Sequence, residues 1–222
     1  LLPDARQNLL FSATFSKDIK SLAQNILRHP VNIDTSPETL TVEAINQFVF
    51  KVDKSRKAEL IIKLIKDGAW DQVLVFTRTK HGANNLCKKM KSCDINAMAI
   101  HGNKSQTART KALAGFKDGS VNVLVATDIA GRGIDIPLLP HVVNFELPNI
   151  PEDYVHRIGR TGRAGSNGEA VSLVSVDEYA YLDDIQKLIS FKIPSGIPDG
   201  FQLDPRITTA PSKKKNRSRS KN

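Results

Sequence analysis

The chain has 222 residues, 40% of them hydrophobic, and a net charge of +9; that allows one packed domain of ordinary size plus a fragment, or two small ones. No apolar run reaches the roughly 18 residues of a membrane span and the first residues do not read as a secretory leader, so a soluble cytoplasmic protein is expected. Two cysteines exclude a disulfide framework, and five scattered histidines show no metal-ligand spacing with them, so no metal site is expected.

In chain order, Leu9-Leu10-Phe11 reads as a short strand. Ser16 can cap a helix that carries Ile19, Leu22, Ala23, Ile26 and Leu27 on one face and ends at His29-Pro30. One strand and one helix hold no core of their own. Residues 31–50 are extended and turn-rich, and Phe48 and Phe50 alternate with polar neighbours as a strand does. From about residue 54 the pattern is regular. Helices are predicted over 57–66, 81–92, 105–116, 151–157 and 177–189, and strands over 73–76, 97–100, 121–126, 142–145 and 170–174. Cys87 lies in the apolar stripe of the second of these helices and reads as core. Continuous Val, Leu and Ile runs alternating with amphipathic helices indicate an α/β fold, a parallel sheet with helices on both faces. Strand order is not legible. Beyond about 193 the chain is rich in Pro and Gly, then basic: residues 212–222 hold six lysines and arginines and no acid. Such a tail suits nucleic-acid phosphates or serves only as a solubilising terminus.

Polar residues crowd where strands end. Thr77-Arg78-Thr79-Lys80, His101-Gly102-Asn103 and Thr127-Asp128 each follow a strand, and ligands of open α/β sheets bind at those carboxyl ends. Further on, His156-Arg157-Ile158-Gly159-Arg160-Thr161-Gly162-Arg163 sets three arginines and two glycines in eight residues. Arg160 and Arg163 are three apart and would share a face of a helical turn. Two guanidinium forks on one face suit a phosphate; a solvated basic turn is the plainer reading.

Together, residues 126–135 and 156–163 closely resemble motifs V and VI of the superfamily 2 helicases, and of the DEAD-box RNA helicases in particular. Ser12-Ala13-Thr14 looks like motif III and residues 73–80 like motif IV. Gln106-Thr107-Ala108-Arg109 fits the Gln-x-x-Arg element behind His101-Gly102. Residues 196–207 resemble the extension of the bacterial RhlE-type subfamily. The chain has no Gly-x-x-x-x-Gly-Lys-Ser/Thr loop and no Asp-Glu-Ala-Asp box, which in the family lie upstream of motif III. The resemblance therefore implies a C-terminal piece. Residues 1–33 would end a first RecA-like domain, 34–50 would form a linker and the strand leading onward, and 51–195 the second RecA-like domain. Residues 196–222 would be an extension with a disordered basic tail.

The resemblance also implies roles. ATP would sit between the two domains, its triphosphate and Mg2+ held mainly by the absent first domain in cis. Arg160 and Arg163 match arginine fingers, and His156 matches a residue coupling motif VI across the cleft. Gly133 and Asp135 would join the nucleotide site, Asp135 at the ribose. Thr79, Gly102, Arg109 and Thr127 match positions on the RNA backbone, with Lys80 as an extra phosphate contact, and such contacts carry no base specificity. Ser12 and Thr14 would couple the domains. Structural alternatives stand beside these: an ion pair for Arg160 and Arg163, a helix cap or Arg132 partner for Asp135, a satisfied structural group for His156, a solvated charge for Arg109. Arg157 reads as structural. The function implied is the C-terminal part of an ATP-dependent RNA helicase, with two rivals, a superfamily 2 motor acting on DNA and a non-catalytic RNA-binding module.

Overall fold

A computed structural model describes residues 3, 6–12, 17–33, 45–131, 136, 139–161 and 168–207. Leu1–Thr39 and Leu40–Asn222 form two units. In the first, the helical periodicity is realised as α1 (Lys17–Ile26). The strand expected at 9–11 does not form: residues 6–12 are exposed and irregular. A strand needs a neighbour to pair its backbone groups, and Arg6 instead turns back to donate to Pro3 O (2.9 Å) and Asn8 Oδ1 (3.0 Å). Ser16 lies outside the described residues. Leu22, Ile26, Val31 and Ile33 are exposed.

The second unit is a seven-stranded parallel sheet. Its strands are β1 (Asn46–Lys51), β2 (Val73–Phe76), β3 (Ala97–Ile100), β4 (Val123–Ala126), β5 (His141–Asn144), β6 (Glu169–Val174) and β7 (Ser195–Gly196), in the order β3-β4-β2-β5-β6-β1-β7. Its helices are α2 (Lys57–Asp67), α3 (Lys80–Lys91), α4 (Gln106–Lys117), α5 (Asp128–Gly131), α6 (Pro151–Ile158) and α7 (Tyr179–Ile189). Every residue of β2 and β4 is buried, because the period-2 alternation sends apolar side chains to both faces and both are covered. Val73, Val75, Val123, Val125 and Val143 meet α2 and α3. Leu74, Phe76, Leu124 and Val142 meet Ala112 and Phe116 of α4 and Ala130 of α5. Val49 and Ala170 meet Tyr154 and Ile158 of α6 and Leu182 and Ile185 of α7. Each such large side chain, fully buried, contributes about 1.5–3 kcal/mol.

Local chemistry starts the helices. Thr79 caps α3 by accepting from Gly82 N (2.9 Å), and Ser105 caps α4 by accepting from Ala108 N (3.2 Å). Pro151 opens α6, with acids in its first turn and His156 and Arg157 in its last, which suits the helix dipole. Ser175 and Glu178 form a capping box at the 3-10 turn before α7.

In the second unit the structure departs from the sequence reading at several elements. In β1 the deeply buried residues are Gln47 and Val49, with Phe48 and Phe50 half-buried. Gln47 is tolerated inside because Tyr154 Oη donates to it (2.8 Å). Val121 precedes β4 and closes α4, its N–H donating to Gly115 O (2.8 Å). The turn α5 follows β4 directly. Residues after 193 return to the sheet as β7 beside β1. There Phe201 is buried under the Arg56 guanidinium (4.2 Å to the ring centroid), and Asp204 N–H donates to Asp53 Oδ2 (3.1 Å). No described helix is long and apolar enough to cross a membrane.

Candidate functional site

All strands point the same way, so the loops leaving β3, β4, β2 and β5 stand along one edge of the sheet. Two groups of side chains gather there.

The first lies at β2, β3 and β4. Thr79 is exposed at the start of α3. Lys80 reaches across to the β3–α4 loop, where Nζ donates to Asn103 Oδ1 (2.6 Å). Its stem passes over exposed Gly102, where an added Cβ would lie 3.8 Å from Lys80 Cε. Arg109, half-buried in the first turn of α4, makes one long bond to Gln106 Oε1 (3.4 Å), and its buried Nε has no partner. Thr127 is buried, and its carbonyl accepts from Ala130 N (3.0 Å) and Gly131 N (2.8 Å) to open α5. Thr79, Lys80 and Gly102 thus share one exposed rim, Arg109 stands just behind it and Thr127 lies beneath.

The second group lies at β4, β5 and α6. Arg157 is a buried brace. Its guanidinium grips Asp128 with two bonds (2.6 and 2.9 Å), donates to Asn144 Oδ1 (3.0 Å) and Glu146 O (2.7 Å), and lies 5.1 Å over the Phe76 ring. Above it, Asp128, Gly131, Asp153, His156 and Arg160 line a crevice of about 10 Å³, the room of a single water. His156 Nδ1 is buried without a hydrogen bond; Asp153 Oδ1, at 3.8 Å, is too far. At Nδ1, then, His156 is not the satisfied structural group of the plainer reading. Arg160 is half-buried.

Of the pair expected to share a helical face, Arg160 lies beyond the end of α6 and Arg163 lies outside the described residues. Helix α6 stops at Ile158 and Gly159 caps it. Leu139 N donates to Arg160 O (3.1 Å), and Thr161 pairs with Leu139 as a parallel bridge. The neighbouring segment thus pulls the backbone out of the helix. Arg163, Gly133 and Asp135 lie outside the described residues, as does Thr14; Ser12 is exposed in the first unit.

A third network was not foreseen. The Glu178 carboxylate accepts from Leu147 N (3.1 Å), Ser175 N (3.2 Å) and Ser175 Oγ (3.1 Å), pairs with Lys57, and stands 3.3 Å from Arg78 Nη2. Lys57 also donates to Phe145 O (3.0 Å). Burial holds the Lys57 ammonium below the ordinary lysine range against the pull of Glu178. Glu146 accepts from Arg78 N–H (2.8 Å) and so fixes the loop that presents Thr79. The Ser175-x-x-Glu178 capping pattern was the sequence signal available for this network.

Residues 56–165 match the family described as Helicase conserved C-terminal domain. The chain is 42% identical over 192 residues to the DEAD-box ATP-dependent RNA helicase RhpA of Helicobacter pylori, covering 86% of this chain and 39% of RhpA. It is 40% identical over 200 residues to the ATP-dependent RNA helicase RhlB of Pseudomonas putida, covering 90% and 50%. The chain thus spans half or less of these relatives' length. Among solved structures it resembles the E. coli DEAD-box protein SrmB bound to the regulator RraA, with TM-score 0.69, 36% identity and coverage of 76% of this chain and 98% of that one. It also resembles S. cerevisiae Dbp5 bound to RNA and ADP BeF3, with TM-score 0.79, 31% identity and coverage of 90% and 54%.

Proposed function

Since this chain belongs to the DEAD-box family of RNA helicases, we propose that it works as the C-terminal RecA-like part of an ATP-dependent RNA helicase. The observation that carries this reading is the pairing of two sites on one sheet edge. The Arg160 and His156 side chains that line the crevice suit contact with the terminal phosphate of ATP, and the rim of Thr79, Lys80 and Gly102, with Arg109 behind it, suits an RNA backbone.

The Arg160 guanidinium would stabilise charge on the transferring phosphoryl group, with Arg163 as its partner. His156 carries an unpartnered buried nitrogen beside Arg160 and would bond across the cleft when the domains close. Arg157 keeps α6 and the α5 turn in register and so aims Arg160. Motif V residues Gly133 and Asp135 would complete the nucleotide site. The resemblance assigns the triphosphate and its Mg2+ mainly to the first domain. On the RNA side, exposed donors without base-reading groups imply affinity without sequence preference. The exposed apolar residues of α1, Leu22 and Ile26, agree with residues 1–33 belonging to a first RecA-like domain, coupled through Ser12 and Thr14. Residues 196–207 favour an RhlE-like subfamily, and the site of action would be the cytoplasm.

The test is reconstitution. The 222-residue chain alone is expected to hydrolyse no ATP, with or without RNA. The same chain joined to a first RecA-like domain is expected to show RNA-stimulated turnover. RNA-stimulated turnover by the isolated chain, free of contaminating ATPase, would overturn the reading; so would a joined protein that binds RNA and never turns over ATP.

A further inference from the structure

Residues 77–117 contain nine lysines and arginines and a single acid, Asp94, whereas residues 118–207 contain thirteen acids and seven bases. The basic block is one structural piece. It runs from the end of β2 through α3, β3 and α4, and β3 is an edge strand of the sheet. Along α3 the charges are ordered. Ala83, Leu86, Cys87 and Met90 form its buried face. At 3.6 residues per turn, Lys80, Asn84, Lys88 and Lys91 fall in one stripe beside that face, spaced i, i+4, i+8 and i+11, while Lys89 turns away.

The stripe starts in the strand-end rim. Lys80 is bonded to Asn103, and Asn84 Oδ1 lies 3.2 Å from His101 Nε2. The β3–α4 loop adds Lys104. Burial holds His101 below the ordinary histidine range, helped by Lys104, Lys80 and His81. The Cys87 thiol, raised by burial, feels the opposing pull of Lys91 and Lys104. Lys104, next to Asn103 in sequence, thus adds its charge to the loop end of the stripe.

Lys54, Arg56, Lys57, Lys63, Arg78, Arg157 and Lys187 each have a carboxylate partner. Among the described residues, Lys80, Lys88, Lys91 and Lys104 have none. A row of like charges with no acid to offset it destabilises the free protein slightly and attracts a polyanion. The exposed residues of α3 are all polar: Lys80, His81, Asn85, Lys88, Lys89 and Lys91. A protein partner would need apolar anchors, so the surface favours nucleic acid.

We propose that the stripe Lys80, Lys88, Lys91 with Lys104 is a phosphate track that carries RNA past the strand-end rim and along α3. The proposal rests on the RNA reading of that rim and names what lies beyond it. Lysines act as point charges and take a backbone without reading bases.

The test measures binding of the 222-residue chain to uridine RNAs of about six and about twenty nucleotides across a salt series. One variant is Lys88→Gln/Lys91→Gln/Lys104→Gln; a control of equal charge is Lys66→Gln/Lys89→Gln/Lys192→Gln, whose residues are exposed elsewhere. The track variant is expected to weaken long RNA about tenfold or more and to lower its salt slope by about 2, at ~0.7 per phosphate. Short RNA should change less than about twofold in the track variant, and the control should bind long RNA nearly as the parent does. Equal losses in both variants would reduce the effect to net charge and overturn the track. So would an unchanged salt slope, which would leave the stripe to an acidic protein or to solvent. Arg109→Ala reports separately on the rim: if short RNA binds it as tightly as the parent, the rim reading fails, whatever the track variant shows.

Discussion

Arg157 and Arg160 lie three positions apart and have different surroundings. Arg157 is buried and spends its donors on Asp128, Asn144 and the Glu146 carbonyl. Arg160 is half-buried on the wall of the crevice. Arg157→Ala strands Asp128 and two acceptors, so it should cost about 3–5 kcal/mol of stability, read as a lower denaturant midpoint. Arg160→Ala in a protein carrying both domains should lower RNA-stimulated ATP turnover by ~10³-fold or more, with a small change in melting temperature. Arg160→Lys should rescue little, because the ammonium lacks the bidentate fork. A destabilised Arg160→Ala protein with near-normal turnover would make Arg160 a brace and not a finger. The sequence reading set Arg157 apart as structural but did not show what it braces. Asp128 stands 29 residues before Arg157, and nothing local announces that pairing. Thr161, too, looked like the next step of a helical turn until its bridge to Leu139 was known.

At the scale of elements, strands and helices were legible wherever burial on both faces imposed unbroken apolar runs, as in β2 and β4. Strand order was not, since it is set by where crossovers land and not by local pattern; β1 is inserted between β6 and β7. Two-residue β7 is too short to show any alternation. The Glu178 network ties α2 and the loops after β2, β5 and β6 to one carboxylate. Glu178→Gln keeps the shape but leaves Lys57 buried without a counter-charge, so a loss of about 3–5 kcal/mol is expected. Adding Lys57→Met should return part of it. A Glu178→Gln chain as stable as the parent would show that the pair is already neutral. At the other end of the sheet, Trp70 stacks on His141 at 4.2 Å, and burial holds His141 below the ordinary 6.5, against the pull of Glu169. The unfolded chain then binds this proton more readily than the folded one. Stability is full above about 6.5 and is lost as pH falls from there through the folded value. His141→Gln should flatten that acid limb, and the single tryptophan gives the fluorescence signal to follow it; a limb of unchanged steepness would assign the proton uptake to another group.

For the whole molecule, the proposed RNA-binding role makes charge distribution the quantity to follow. Six of the nine net positive charges lie in residues 212–222, outside the described residues. The chain that leads to them is fixed: Phe201 is buried, Asp204 N–H is held by Asp53, and Ile207 N–H donates to Asp204 O (2.9 Å). Asp53 follows the end of β1, so Asp204, which it holds, lies at the sheet edge that carries the strand-end loops. Positive charge in the residues that follow in sequence would add to whatever the loops hold and has no means of reading bases. Removing residues 212–222 should therefore weaken every single-stranded RNA alike. The salt slope should fall by up to about 4, at ~0.7 for each of six neutralised phosphates. The melting temperature should not move, because Phe201 and the strap that carries it are intact. Loss of affinity confined to particular sequences would contradict a purely electrostatic tail. If truncation changed neither affinity nor slope, residues 212–222 would be a solvated terminus, and RNA affinity would rest on the folded surface alone.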